Sequence, residues 1–198
     1  MSTPVSAGLA QEIVAAVERL RQITVQIRTH GAAIGAGILW NGEESDGPGL
    51  VITNAHVVRG DRATIEFGDS TAARGRVVAR DLKRDLAALE IDPWPTIAAS
   101  VIRDSPPLRV GELVIAVGHP GGLVGVATLG IVHAAGGGGG RWVRADVRLA
   151  PGFSGGPLAD AAGRVVGINT MIQGSLALAV PAAAVEAWLR RSRALVAS

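Results

Sequence analysis

From about residue 25 onward the chain is a succession of short apolar segments, each cut off within a few residues by Gly, Pro, Asn or Asp. Val25 to Ile27 and Ile34 to Leu39 open the series, followed by Leu50–Thr53, Ala63–Phe67, Gly75–Ala79 and Leu86–Ile91. Glu112–Val117, Ala127–Val132, Trp142–Leu149, Val165–Ile172 and Leu176–Val180 continue it. Segments this short, with alternating or unbroken apolar residues, read as strands. Helices do not alternate with them, which excludes a parallel sheet and leaves antiparallel barrels or a sandwich. The 198 residues suffice for one domain or two small lobes, and 27 Gly with 10 Pro supply the punctuation.

Only the two ends carry a helical period. Leu9, Ile13, Val17, Leu20 and Ile23 recur at steps of three or four, predicting a helix over about 8–23 with one apolar face. That face packs either on its own barrel or on another subunit. After Pro181 the chain reads Ala-Ala-Ala-Val-Glu-Ala-Trp-Leu-Arg-Arg, a helix opened by Pro and running to about residue 194. Residues 41–49 read as a turn or loop. Gly136 to Gly140 is either a hairpin tip or a mobile loop beside a site.

Several function classes are excluded or weakened. There is no cysteine, so no disulfide or thiolate chemistry is available; a reducing compartment fits, as does an exported chain that needs no disulfides. Formal charge is +2, Lys83 is the only lysine, and only Arg190, Arg191 and Arg193 cluster, so no nucleic-acid footprint emerges. His30, His119 and His133 are scattered and lack a metal-ligand spacing, so no metal or other cofactor is expected. No apolar run reaches about 18 residues, so no membrane span is expected. The first twenty residues lack a basic start and an apolar stretch, which points to the cytoplasm, or to the periplasm or secretion if the true start lies upstream.

Three short stretches carry candidate chemistry. Pro151-Gly-Phe-Ser-Gly-Gly-Pro157 surrounds one serine with glycines, which allow a tight turn that presents a hydroxyl and directs backbone N–H groups at a developing oxyanion. Ile52-Thr-Asn-Ala-His-Val-Val58 places a histidine just after a strand. Arg84-Asp-Leu-Ala-Ala-Leu-Glu-Ile91 opens a strand with an aspartate. Each alone has an ordinary structural explanation: a flexible turn, a half-buried histidine, a strand-leading aspartate. Together they supply a nucleophile, a base that takes its proton near neutral pH, and a carboxylate that orients the base. The order His56, Asp85, Ser154 is that of the chymotrypsin triad.

These stretches, with Val117-Gly-His-Pro-Gly121, Gly130-Ile-Val132, Gly163 to Thr170 and Leu178-Ala-Val-Pro181, resemble the protease domain of the HtrA (DegP-like) family of trypsin-like serine proteases. The resemblance spans roughly residues 25–190. It implies an all-β fold: two perpendicular six-stranded β-barrels of chymotrypsin type, with the triad in the cleft between them and a helix at either end. Residues 1–24 would form an N-terminal helical segment and 25–198 the protease domain, its lobes dividing near 95–110. Gly152, Phe153 and Ser154 would supply oxyanion N–H groups. Thr170 would bring a hydroxyl near Asp85, Met171 and Ile172 would pair with substrate backbone, and Leu176, Ala177 and Leu178 would help form a small apolar specificity pocket.

The sequence departs from the family pattern at named positions. Phe153 and Ala150 stand where the family has Asn, and Arg148 lies six residues before Ser154, where an inward side chain would favour acidic substrates. No PDZ domain is expected after the last helix. The resemblance implies a serine endopeptidase acting on unfolded or extended polypeptides in protein quality control, and a homotrimer through the N-terminal segment. The alternative is a latent, protease-like module that binds peptides or a partner protein.

Overall fold

The computed structural model describes residues 5–29, 32–40, 49–91, 100–103, 107–135 and 141–196. The glycine run 136–140 and most of the loop read over 41–49 lie outside them. Helix α1 (Val5–Ile23) precedes six strands: β1 (Thr24–Thr29), β2 (Ala32–Trp40), β3 (Gly49–Thr53), β4 (Arg62–Glu66), β5 (Ala72–Asp81) and β6 (Leu86–Ile91). Six more follow: β7 (Leu113–Gly118), β8 (Val126–Ala134), β9 (Val143–Asp146), β10 (Pro157–Asp160), β11 (Val165–Gln173) and β12 (Leu176–Pro181), before helix α2 (Ala182–Val196). All pairings named here are antiparallel, and the strands close into two barrels, β1-β2-β3-β6-β5-β4 and β10-β11-β12-β9-β8-β7.

Closure explains the burial. A barrel of six short strands has no free edge and fills its interior with side chains. In the first barrel Ile27, Ile38, Ile52, Ile65, Leu86 and Leu89 are fully buried. In the second, Val114, Ala116, Val132, Ala145 and Leu158 form a separate apolar cluster. Glycine makes room where strands crowd: a Cβ on Gly37 would meet Val51 and Ile27.

The apolar face of α1 packs on its own chain. Ala16, Leu20 and Ile23 join the larger core, and Arg19 donates a hydrogen bond to the Ala162 carbonyl of the second barrel at 3.1 Å. Leu9 and Val14 remain exposed. Helix α2 buries Val185, Trp188 and Leu189 in the same core. The link between barrels is held by Arg103, which reaches Glu112 at 2.6 Å and Asp160 at 3.5 Å. The Arg103 guanidinium, with Arg109, holds the Glu112 carboxyl down at about 2.

Two segments differ from the expected pattern. The strand read over Trp142–Leu149 is shorter, Val143–Asp146, because the chain turns toward Ser154. Strand β10 was not expected; it begins at Pro157, the last residue of the glycine-rich stretch, and its four residues are all buried.

Candidate active site

His56 follows β3, whose end is fixed by Thr53: its hydroxyl donates to the Ala36 carbonyl at 2.6 Å. Asp85 ends a turn between β5 and β6. In that turn Asp81 accepts from the Arg84 N–H at 3.0 Å and from its guanidinium at 2.7 Å. The turn leaves Asp85 at φ +57, a left-handed conformation that non-glycine residues adopt at a cost of about 1–3 kcal/mol unless held. Its carboxylate grips His56 twice. Oδ1 accepts from the His56 backbone N–H at 2.9 Å, and Oδ2 lies 2.6 Å from Nδ1. The imidazole itself is half exposed.

Ser154 sits in a sequence of tight turns. The Phe153 N–H donates to Ala150 O at 3.1 Å, and Gly152 stands at φ +108 after Pro151. Pro second and a positive-φ Gly third define a type II turn. The Gly152 carbonyl is held by the His119 N–H at 3.0 Å, and the Ser154 carbonyl by the Ala36 N–H at 2.8 Å. Gly155, at φ +85, lies so close to the first barrel that a Cβ would strike Ala36 O and the Thr53 hydroxyl. The Ser154 hydroxyl donates to Thr170 O at 3.3 Å.

The oxyanion expectation narrows. The Phe153 N–H, expected among the donors, is used inside the turn. The N–H groups of Gly152 and Ser154 have no hydrogen-bond partner among the described residues. The Phe153 ring is buried in the second barrel's apolar cluster, and Gly118 makes its room, since a Cβ there would approach the ring at 2.9 Å.

His56, Ser154, Gly152, Phe153, Thr170, Met171 and Ile172 line one cleft of about 360 Å³, together with Leu149, Ala150 and Pro151. Leu176, Ala177 and Leu178 do not line it. In strand β12, Ala177 faces the second barrel's apolar cluster and Leu178 points to the strand's other face, both buried, at 2% and 3% exposure. Leu149 was not singled out in the sequence, because nothing local tells a strand-exit leucine from a core one. Arg148 is exposed and lies off the cleft lining; the Thr128 hydroxyl holds its backbone carbonyl at 2.8 Å.

Thr170 is buried, but the Asp85 carboxylate is not the partner of its hydroxyl. That hydroxyl accepts from Asn54 Nδ2 at 3.0 Å and donates to Ile168 O at 3.1 Å. Asn54 Nδ2 also donates to the Asp85 backbone carbonyl at 2.9 Å. Asn54 lay within the quoted stretch before His56 and had no role there; its partners are distant in sequence. His119 is buried, which pushes its pKa down, and its Nδ1 accepts from the Gly125 N–H at 3.2 Å. No group of His, Asp and Glu suited to a metal ion occurs among the described residues.

Comparison with known proteins agrees with this fold. The family model described as a trypsin-like peptidase domain matches residues 35–168, well over half of the chain. A protein named serine protease HhoA from Synechocystis sp. is 36% identical over 139 residues, covering 65% of this chain and 35% of its own length. A DegP-like periplasmic serine endoprotease of Brucella suis is 40% identical over 131 residues, covering 63% of this chain and 26% of its own. Among solved structures, an HtrA-type protease with a tripeptide superposes with TM-score 0.78 at 27% identity, over 90% of this chain and 62% of that one. The serine endoprotease from Yersinia pestis gives 0.80 at 25% identity, over 91% and 66%. This chain thus spans about a third or less of the length of these curated relatives.

The expectation of a cytoplasmic location is corrected by these relatives. Those in Haemophilus influenzae and Brucella suis are named periplasmic. The cytoplasmic reading rested on the start of the sequence, with cysteine absence in support. A chain without thiols offers an oxidising compartment nothing to cross-link, so it fits either side.

Proposed function

The chain belongs to the trypsin-like peptidase family, and on that footing we propose that it is a serine endopeptidase that cleaves unfolded or extended polypeptides through an acyl-enzyme. One observation carries this reading. Ser154 and the Asp85-bound His56 line a single cleft, and the two N–H groups without partners, those of Gly152 and Ser154, lie beside the nucleophile.

Each group then has a role. Asp85 accepts from Nδ1–H of His56, which leaves Nε2 as the base. Nε2 takes the Ser154 proton as Oγ attacks the peptide carbonyl, and returns it to the leaving amine. The N–H groups of Gly152 and Ser154 hold the oxyanion. Water, deprotonated by the same Nε2, then releases the acyl group. The exposed edge at Met171 and Ile172 would pair with an extended substrate strand. Leu149, Ala150 and Pro151 give the cleft small and aliphatic walls, which favours a small aliphatic residue before the cut. Replacing Ser154 by Ala is expected to lower cleavage of unfolded casein by about 10⁴-fold or more. Equal cleavage by both proteins would end the reading.

A second reading, a peptide-gripping module with little turnover, draws on the Ser154 hydroxyl, whose bond runs to Thr170 O rather than to His56. Catalysis needs that hydroxyl to turn to Nε2 when substrate binds. Fluorophosphonate labelling separates the two: fast labelling supports the enzyme, and labelling no faster than that of free serine supports the module. Assembly into a homotrimer through the N-terminal segment would use the exposed Leu9 and Val14 of α1. A monomer mass by light scattering at micromolar concentration would remove that proposal. A part in protein quality control is proposed from the family resemblance alone.

A further inference from the structure

We propose that Asn54 is a positioning residue that holds Asp85 and ties it, through Thr170, to the barrel that carries Ser154. The inference rests on the endopeptidase reading.

Asp85 needs an anchor that its own side chain does not provide. Both carboxylate contacts described above go to His56, the group it serves. Its backbone is left-handed, at φ +57, in a half-exposed turn. What fixes that backbone from inside is Asn54, which is fully buried and donates to the Asp85 carbonyl at 2.9 Å. The second N–H of the same amide goes to Thr170 Oγ1 at 3.0 Å, in the other barrel. The carbonyl of Thr170 in turn receives the Ser154 hydroxyl. One primary amide thus spans the barrel interface, with a planar pair of donors between the orienting carboxylate and the residue behind the nucleophile.

The orientation of the amide follows from its neighbours. Turned over, its oxygen would face the Asp85 carbonyl, which can only accept. As placed, Oδ1 is buried without a partner. An amide with an orphaned acceptor adds little net stability, so its removal should be felt in geometry more than in folding. The relevant scale is that of misplacement: a shift of about 1 Å in a catalytic group lowers turnover by about 10²-fold.

The test compares Asn54→Ala, Thr170→Val, Thr170→Ser and the double variant Asn54→Ala with Thr170→Val, in the full chain. Melting temperature, kcat and KM are read on a fluorogenic peptide with valine before the cut. Asn54→Ala and Thr170→Val are each expected to lower kcat by about 10–100-fold with KM changed less than about threefold. Thr170→Ser, which keeps the hydroxyl, should return kcat to within about threefold of the parent, and the double variant should be little worse than Asn54→Ala, because both break one chain of bonds. If Asn54→Ala does not fold, the contrast of Thr170→Val with Thr170→Ser decides. A folded Asn54→Ala or Thr170→Val with kcat within about threefold of the parent, or additive losses in the double variant, would overturn the proposal. A parent protein whose cleavage does not depend on Ser154 would instead remove the endopeptidase reading, and this inference with it.

Discussion

The first barrel holds His56 and Asp85 mainly by bonds to side chains: the Asp85 carboxylate on His56, the Asp81 carboxylate on Arg84 and the Asn54 amide on Asp85. The second barrel holds Ser154 by backbone. Ala150 O, the His119 N–H and the Asn169 carbonyl of that barrel, with the Ala36 N–H of the first, fix the loop from Ala150 to Gly155. The difference has a physical origin. A base and its carboxylate act through side chains and need those side chains oriented. An oxyanion is met by main-chain N–H groups, which only the path of the backbone can aim. Substitutions in the two barrels should therefore fail in different ways, the first losing turnover while folded, the second losing the fold of the loop.

The largest expected effect tests the first half of that contrast. Asp85→Asn should lower kcat by about 10⁴-fold while the melting temperature stays close to the parent's, since Asn tolerates the left-handed backbone. An Asp85→Asn protein with near-parent kcat would break the comparison. Next, in the second barrel, Phe153→Ala should cost about 3–4 kcal/mol of unfolding free energy by removing a buried ring from the apolar cluster. A loss below about 1 kcal/mol would mean that the ring is not held there. Gly155→Ala should destabilise by about 2 kcal/mol or more, because φ is +85 and a Cβ would meet Ala36 O and the Thr53 hydroxyl.

A smaller effect concerns acid. Glu112 titrates at about 2 in the folded chain against 4.5 in its ordinary state, through Arg103 first and Arg109 second. A depressed carboxyl stabilises the fold above its unfolded value and loses that contribution as pH falls. Between pH 4.5 and about 2 the chain should thus lose about 2–3 kcal/mol, and Glu112→Gln should flatten that slope in urea titrations. The smallest effect is at Arg148. Its exposed side chain lies off the cleft lining, so Arg148→Gln should leave the residue preference before the cut unchanged in a peptide-library assay.

The same contrast explains what could be read from residues alone. His56, Asp85 and Ser154 are local signals, each set in a short stretch of recognisable chemistry. Antiparallel strands in barrels or a sandwich were legible because apolar segments and breakers alternate along the chain, and the choice of two barrels came from the family resemblance. Asn54 was not, since its partners Asp85 and Thr170 come together only when two barrels meet. Leu176, Ala177 and Leu178 were expected at the pocket, but pairing of Met171 with Leu178 and of Ile172 with Ala177 places β12 beside β11, with Ala177 in the barrel's apolar cluster and Leu178 buried on the strand's other face. Leu149 took a place on the cleft wall instead, because β9 ends at Asp146 and the chain leaves the sheet there. The use of the Phe153 N–H inside a type II turn needed the path of the backbone around Pro151 and Gly152.

The central claim is that one serine, activated by the His56–Asp85 pair, is the nucleophile. The most direct measurement is peptide mapping of the protein after reaction with a fluorophosphonate. The adduct should lie on Ser154 alone, and its rate of formation should fall by about 10³-fold or more in His56→Ala. An adduct on another serine, or labelling of Ser154 that is indifferent to His56, would contradict it.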